Sequence, residues 1–147
     1  MIRPTGFFRS KAKSVMGCCR HLVAQHGGEV PRTMEELTRL PGVGRKTANV
    51  VLWNAFRIPG LAVDTHVGRV SQRLGLADRD DPDSIEESLC ELFPQEQWGV
   101  VTHLIGHHGR RTCLARKPDC PGCAIRTLCD WPAKTPGPAR SPSRRPR

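Results

Sequence analysis

Four cysteines lie in one short stretch towards the end of the chain and are the residues best suited to bind a metal. They are spaced C-x6-C-x2-C-x5-C, at Cys113, Cys120, Cys123 and Cys129, so their thiolates can converge on one centre. Zinc and a [4Fe-4S] cluster both accept four cysteine ligands. Structural zinc sites more often combine two C-x2-C pairs, whereas this array has one, and the spacing alone leaves both metals open. Four unligated thiols would bring an oxidation hazard without a packing benefit.

A glycine-containing turn, LPGVGRKTANVV at residues 40–51, precedes a segment with helical spacing of apolar residues. It is not a nucleotide-binding P-loop, because Arg45 separates the second glycine from the lysine and breaks the required Gly-Lys-Ser/Thr sequence. Amides in such a turn point outward beside the positive end of the next helix and can bind an anion. A plain turn between helices is the alternative. We predict DNA phosphate contacts, which carry no sequence information, for Pro41, Gly42, Val43, Gly44 and Arg45.

Two residues near this turn could take part in covalent chemistry. Lys46 falls in the first turn of the predicted helix beside a second cation, and both surroundings disfavour an ammonium ion and favour the free amine. A free amine can attack an electrophilic sugar carbon and form a Schiff base. Asp64, in AVDTHV, could accept a proton from that lysine or stabilise an oxocarbenium-like sugar. The simpler alternatives are a solvated lysine and an aspartate that caps a helix.

The segments that carry these residues are all predicted to be helices, and no segment shows a convincing alternation of apolar and polar residues typical of a strand. The capping and periodicity signals predict an all-α fold with helices from Ser10 to about His26, from Met34 to Leu40 after a Thr33/Glu36 capping box, from about Arg45 through Ala55, from Asp64 to about Leu74, from Pro82 through Leu92, and from about Gln95 to His108 with Gly109 as C-cap. The first helix is predicted to pack through Val15, Cys19, Leu22 and Val23, and the last through Trp98, Val101 and Ile105. Cys18, Cys19 and Cys90 are predicted core residues.

The chain is basic, with 23 Lys and Arg against 14 Asp and Glu, which suggests a polyanionic partner. The tail at residues 132–147 holds five of the basic residues and no acidic one, so the remainder has 18 against 14. Its Pro, Ser and Arg content predicts a disordered extension. No apolar run approaches the roughly 18 residues of a membrane span, and the start lacks the apolar core of a signal peptide. We expect no membrane partner and a cytoplasmic location.

The run LPGVGRKTANVVLWNAFRIPGLAVDTHVGRV, followed by the four-cysteine array, resembles the endonuclease III family from near the first residue to about Cys129. The resemblance implies a helix-hairpin-helix DNA glycosylase fold and a base-excision repair enzyme that removes oxidised pyrimidines and cleaves the abasic site by β-elimination. It implies that Lys46 is the nucleophile on the sugar C1′ and that Asp64 assists base loss and lysine deprotonation. It also implies a [4Fe-4S] cluster on the four cysteines and phosphate contacts from Arg116 and Lys117 of the ARKP loop.

The stretch IRPTGFFRSKAKSV resembles an internal segment of that family, so we expect a fold that is N-terminally incomplete. Residues 1–62 are predicted to form a partial helical lobe with the helix-hairpin-helix, residues 63–131 the iron-sulfur lobe, and residues 132–147 the basic tail. The expected partner is double-stranded DNA with a damaged pyrimidine or abasic site, bound by a monomer at the nucleoid. The alternatives are a non-catalytic DNA-binding remnant and a DNA binder with a zinc loop.

Overall fold

The computed structural model describes residues 2–134, and every regular element in that part of the chain is helical, which confirms the all-α prediction. Most of the predicted basic tail lies outside the described residues. No helix in the described part is long and apolar enough to cross a membrane. Residues 2–134 contain six α-helices, α1 (Phe8–His26), α2 (Met34–Arg39), α3 (Arg45–Phe56), α4 (Thr65–Arg73), α5 (Pro82–Leu92) and α6 (Trp98–Arg111), with 3-10 turns at Gln95–Gln97 and Arg126–Leu128.

Local signals set most helix ends. The Thr33 hydroxyl accepts a hydrogen bond from the Glu36 amide at 3.3 Å and donates one to the Glu36 carboxylate at 2.8 Å, so Thr33 caps α2 as predicted and its side chain pairs with that of Glu36. Gly27 ends α1 in the left-handed region at φ 60°, as a glycine C-cap does. The predicted start of α1 at Ser10 was wrong, because the helix begins one turn earlier and Phe7 takes the N-cap position with a left-handed backbone.

The predicted C-cap at Gly109 was also wrong, since α6 continues to Arg111. A Cβ atom at Gly109 would lie 3.0 Å from both His66 Cβ and Val70 Cγ2. The glycine therefore permits a close approach of α6 to α4 and does not terminate the helix. The predicted start of this helix at Gln95 is instead a 3-10 turn that leads into α6.

A first compact unit comprises the described residues up to Ala62 together with Phe93–Gly99. Its core contains Leu37, Leu40, Ala48 and Leu52, against which Cys18 and Leu22 of α1 pack. The predicted inner face of α1 was otherwise wrong, because Val15, Cys19 and Val23 are exposed. The apolar residues of α1 are spread around the helix, and only the side that meets this core is covered in the described part of the chain.

A second compact unit comprises Val63–Leu92 and the residues from Val100 onward. In this unit α4 packs on α5, where Gly68 lies beside Ile85. The division of the chain into domains at residues 62 and 63 stays a prediction. The buried apolar residues of this second unit are Val63, Val67, Val70, Ala77, Ile85, Leu89, Val101 and Ile105.

The turn between α2 and α3 requires a glycine at position 42. Its φ is 79°, and a Cβ atom there would lie 2.5 Å from Ser14 Cβ on α1. We expect Gly42→Ala to lower the free energy of unfolding by about 2 kcal/mol, because the left-handed backbone alone costs an L residue roughly 1–2 kcal/mol. Urea unfolding followed by circular dichroism would measure the loss. An unchanged midpoint would contradict this account of the turn.

Candidate active site and metal centre

The turn between α2 and α3 presents an open backbone before a helix N-terminus. The Val43 amide donates to the Leu40 carbonyl at 3.0 Å and closes the turn, and Gly44 is the N-cap of α3 with an extended backbone at φ −97°. No atom lies within 4 Å of the position a Cβ would take at Gly44. Neither backbone strain nor packing requires a glycine here, although glycine is among the residues favoured at an N-cap, and the position is open to a ligand.

Lys46 lies in the first turn of α3, and its side chain is exposed, as is that of Arg45. One turn further along the helix, the buried Asn49 donates from Nδ2 to the Leu61 carbonyl at 3.0 Å. Gly60 passes so close that a Cβ there would lie 2.9 Å from Asn49 Oδ1. The helix that carries Lys46 therefore holds the segment at Gly60 and Leu61 against it.

Asp64 is the N-cap of α4 and uses both carboxylate oxygens. Oδ1 accepts from the His66 amide at 2.9 Å and from the Val67 amide at 2.8 Å, while Oδ2 pairs with Arg110 Nη2 at 2.8 Å. Partial burial acts to raise the pKa of Asp64, but the two amides, Arg110 and His66 outweigh it and lower this pKa below its ordinary value. The carboxylate is therefore charged at neutral pH.

All four cysteines of the array line one pocket, whose wall also includes His108 and Trp131. Among the described residues, no three His, Cys, Asp or Glu side chains are grouped closely enough to hold a single metal ion. Each cysteine ligand of a [4Fe-4S] cluster binds a different iron atom, so that donor set is more widely spaced than a tetrahedral zinc site. The four thiols line one pocket without the close grouping that a single ion requires, and a cluster is compatible with that wider spacing.

His108 lies at the wall of this pocket, with Nε2 3.8 Å from Cys123 Sγ. Its burial lowers its pKa, so its imidazole is neutral at pH 7. This histidine therefore adds no positive charge beside the cysteines at that pH.

Two arginines of α4 bind the cysteine loop. Arg69 donates from Nε and Nη2 to the Cys113 carbonyl at 3.2 and 3.0 Å, and from Nη2 to the Gly109 carbonyl at 2.7 Å. Arg73, one turn later, donates to the sulfur of Cys113 at 3.3 Å. Sequence reasoning missed both, as it missed Asn49, Arg110 and Trp131. The four-residue spacing of Arg69 and Arg73 places them on one helix face, but nothing local indicates what they contact.

Arg116 and Lys117 project from the loop between the first two cysteines, and both are exposed. Lys117 has a left-handed backbone at φ 50°, and the next residue, Pro118, is buried and anchors the loop. Their predicted contacts with phosphate stay a prediction, as do the roles of Lys46 and Asp64, which belong to different compact units.

The chain is similar in sequence to known DNA repair proteins. The chain is 55% identical over 130 residues to endonuclease III of Synechocystis sp. and 44% identical over 131 residues to that of Thermotoga maritima, covering 88% and 89% of this chain. It spans 59% and 62% of the lengths of these relatives.

Two solved structures are similar at a TM-score of 0.85 and 45% identity, namely a non-covalent endonuclease III–DNA complex and a trapped endonuclease III–DNA covalent intermediate. They match over 88% of this chain and over 61% and 62% of their own chains. Residues 1–95 match the model for HhH-GPD superfamily base excision DNA repair proteins. With most of its length matched and an all-helical fold shared with these structures, the chain belongs to the HhH-GPD superfamily of base-excision DNA repair proteins.

Proposed function

We propose that this chain is a bifunctional DNA glycosylase that removes oxidised pyrimidines from double-stranded DNA and cleaves the resulting abasic site. The observation that carries the proposal is the exposed Lys46, in the first turn of a helix that follows an open glycine turn. The chain shares 45% identity and a TM-score of 0.85 with an endonuclease III trapped as a covalent DNA intermediate. A covalent bond between a lysine amine and a sugar carbon of the DNA would account for such an intermediate.

The proposed reaction begins when the damaged nucleotide leaves the base stack, which damage makes less costly. The Lys46 amine attacks C1′ of the sugar, and the bond from C1′ to the base breaks, so that the base departs with the bonding electrons. The attached nitrogen loses a proton to water, the C1′–O4′ bond breaks as the nitrogen lone pair forms the C=N bond, and O4′ takes up a proton. The product is a protonated Schiff base between Lys46 and C1′. The Schiff base acidifies the C2′ proton, and its removal expels the 3′ phosphate by β-elimination.

Asp64 contributes charge rather than basicity in this proposal. A carboxylate that accepts two amide hydrogen bonds and pairs with Arg110 has a pKa below its ordinary value, and a weaker base removes protons less effectively. Its fixed negative charge can instead stabilise the positive charge that develops on the sugar as the base leaves. We therefore infer that Asp64 acts mainly as an electrostatic stabiliser.

The proposed DNA contacts come from two exposed surfaces. The turn at residues 41–44 and the side chain of Arg45 form one proposed phosphate contact, through the backbone amides at the start of α3, because helix N-termini bind anions. Arg116 and Lys117 supply a second, on the loop between the first two cysteines. These contacts fix the position of the protein on the duplex without reading its sequence.

Gly44 provides a test of the first surface. We expect Gly44→Ala to weaken binding to an abasic-site duplex by about fivefold, since the added methyl group obstructs one phosphate hydrogen bond worth about 1 kcal/mol. Fluorescence anisotropy would measure the dissociation constant. Gly44→Ala should leave the unfolding midpoint nearly unchanged, because no atom lies within 4 Å of its Cβ position, in contrast to Gly42→Ala. Equal DNA affinity in the Gly44 variant and the unsubstituted chain would remove the turn from the interface.

We infer that Cys113, Cys120, Cys123 and Cys129 hold a [4Fe-4S] cluster, because all four line one pocket. The cluster, when bound, would supply four iron–sulfur bonds that hold the loop of Arg116 and Lys117 in one shape. Iron and sulfide analysis of the purified protein, together with its visible colour, tests this inference. A colourless, zinc-containing protein would contradict the cluster and favour the zinc loop.

The activity itself is tested on a duplex with one oxidised pyrimidine, with the undamaged duplex as control. We expect loss of the damaged base and a strand break at that position, and neither on the undamaged duplex. Binding to an abasic duplex without base release or strand breakage would instead indicate the alternative function, a non-catalytic DNA-binding module. Because the proposed partner is double-stranded DNA, we propose a cytoplasmic location at the nucleoid.

A further inference from the structure

The side chain of Arg73, at the last position of α4, reaches the beginning of the cysteine loop. Nη1 lies 3.3 Å from Cys113 Sγ and 2.8 Å from the Leu114 carbonyl oxygen, and Nη2 lies 3.1 Å from the Ala115 carbonyl oxygen. One guanidinium therefore contacts the first cysteine of the array and the two residues that follow it. Such a planar group with several donors in fixed directions cannot be replaced by lysine without loss of contacts.

The same arginine also reaches the end of the loop. Its guanidinium carbon lies 3.9 Å from the centroid of the Trp131 ring, two residues after the last cysteine. The Arg73 carbonyl oxygen lies 3.5 Å from Cys129 Sγ. Attraction between a cation and an indole face, which is strongest for Trp, thus holds the chain beyond Cys129 against the same residue that contacts Cys113.

We propose that Arg73 is a positioning residue of the metal centre, which clamps the two ends of the cysteine loop to α4 and places a fixed positive charge beside the bound cluster. This inference rests on the proposed [4Fe-4S] cofactor. Four thiolates around one cluster concentrate negative charge, and hydrogen bonds to the sulfurs and net charge set how readily a cluster is reduced. Arg73 supplies both a hydrogen bond to Cys113 Sγ and the charge.

The test measures cluster retention and reduction potential in the purified holoprotein. Arg73→Gln should release the cluster under oxidant or chelator roughly 10-fold faster or more, in line with the usual cost of losing a partner of a metal ligand. Its reduction potential should fall, because the lost cation favoured the more negative, reduced state. For Arg73→Lys, the rate of cluster loss and the reduction potential should lie between those of the native chain and of Arg73→Gln. Lysine keeps the charge but cannot make the several contacts of the guanidinium.

Arg79→Gln is the matched control, because it removes the same charge from an exposed residue between α4 and α5. Equal cluster loss and equal potential in the Arg73 and Arg79 variants would overturn the inference while leaving the proposed cofactor intact. A native chain without iron would overturn the cofactor and the clamp together. If Arg73→Gln fails to fold, Trp131→Ala serves in its place, and it should accelerate cluster loss while the helical circular dichroism is retained. Native-like retention in that variant would contradict the clamp.

Discussion

Replacement of Lys46 by alanine is expected to abolish the covalent adduct that borohydride traps between this chain and an abasic-site duplex. Reduction converts a Schiff base into a stable amine, so the adduct reports the nucleophile directly. Removing a nucleophile typically costs several orders of magnitude in rate, and the trapped band should fall below detection. Because Lys46 is exposed in the first turn of α3, its truncation should not disturb the core.

Lys46→Arg is the informative control for this experiment. The guanidinium keeps the positive charge and can still pair with phosphate, but it is not a nucleophilic amine. We expect Lys46→Arg to bind abasic DNA within a few-fold of the native chain and to yield no adduct. An adduct that persists in both variants would assign the nucleophile to another amine. No adduct from the folded, native chain would favour the non-catalytic alternative.

Replacement of Asp64 by asparagine is expected to lower the rate of base release by about 10²–10³-fold with little loss of stability. Asparagine caps a helix nearly as well as aspartate, so the bonds from the His66 and Val67 amides can persist while the negative charge disappears. Single-turnover release of an oxidised pyrimidine measures the rate, and thermal unfolding measures the stability.

Asp64→Ala separates the two roles of this residue. It removes both the charge and the cap, so it should show a similar rate loss and an additional cost of about 1 kcal/mol in the free energy of unfolding. If asparagine retained the native rate, the charge of Asp64 would not matter and its role would be structural. If both variants lost only stability, the electrostatic assignment would likewise be wrong.

The lowered pKa of Asp64 also predicts a dependence of stability on pH. A carboxyl group whose pKa is lower in the folded chain than in the unfolded chain stabilises the fold above the unfolded value of about 3.9. This contribution is lost as the pH falls through the folded value. The stability advantage of the native chain over Asp64→Asn should therefore be constant near neutrality and shrink below about pH 4. Comparing the two proteins at each pH cancels acid effects elsewhere.

Helix starts and caps that depend on residues close together in the sequence were predicted correctly in three cases. The Thr33/Glu36 box, the start of α3 after Gly44 and the cap by Asp64 all involve atoms a few residues apart, so composition and spacing suffice to indicate them. Gly109 shows where such reasoning fails. A glycine near a predicted helix end reads as a cap, whereas here it allows α6 to approach α4, and that contact depends on a helix about 40 residues away.

The sequence by itself indicated the number and approximate positions of the helices, the glycine turn that precedes Lys46 and the spacing of the four cysteines, because these arise from short-range backbone preferences. Only the tertiary structure decided which arginines accompany them. Arg110 pairs with Asp64 across 46 residues, and Arg69 and Arg73 reach Cys113 across 44 and 40 residues. The packing of α4 and α6 determines these partners. The sequence contains many arginines, and nothing local distinguishes those that contact the carboxylate and the thiols from the others.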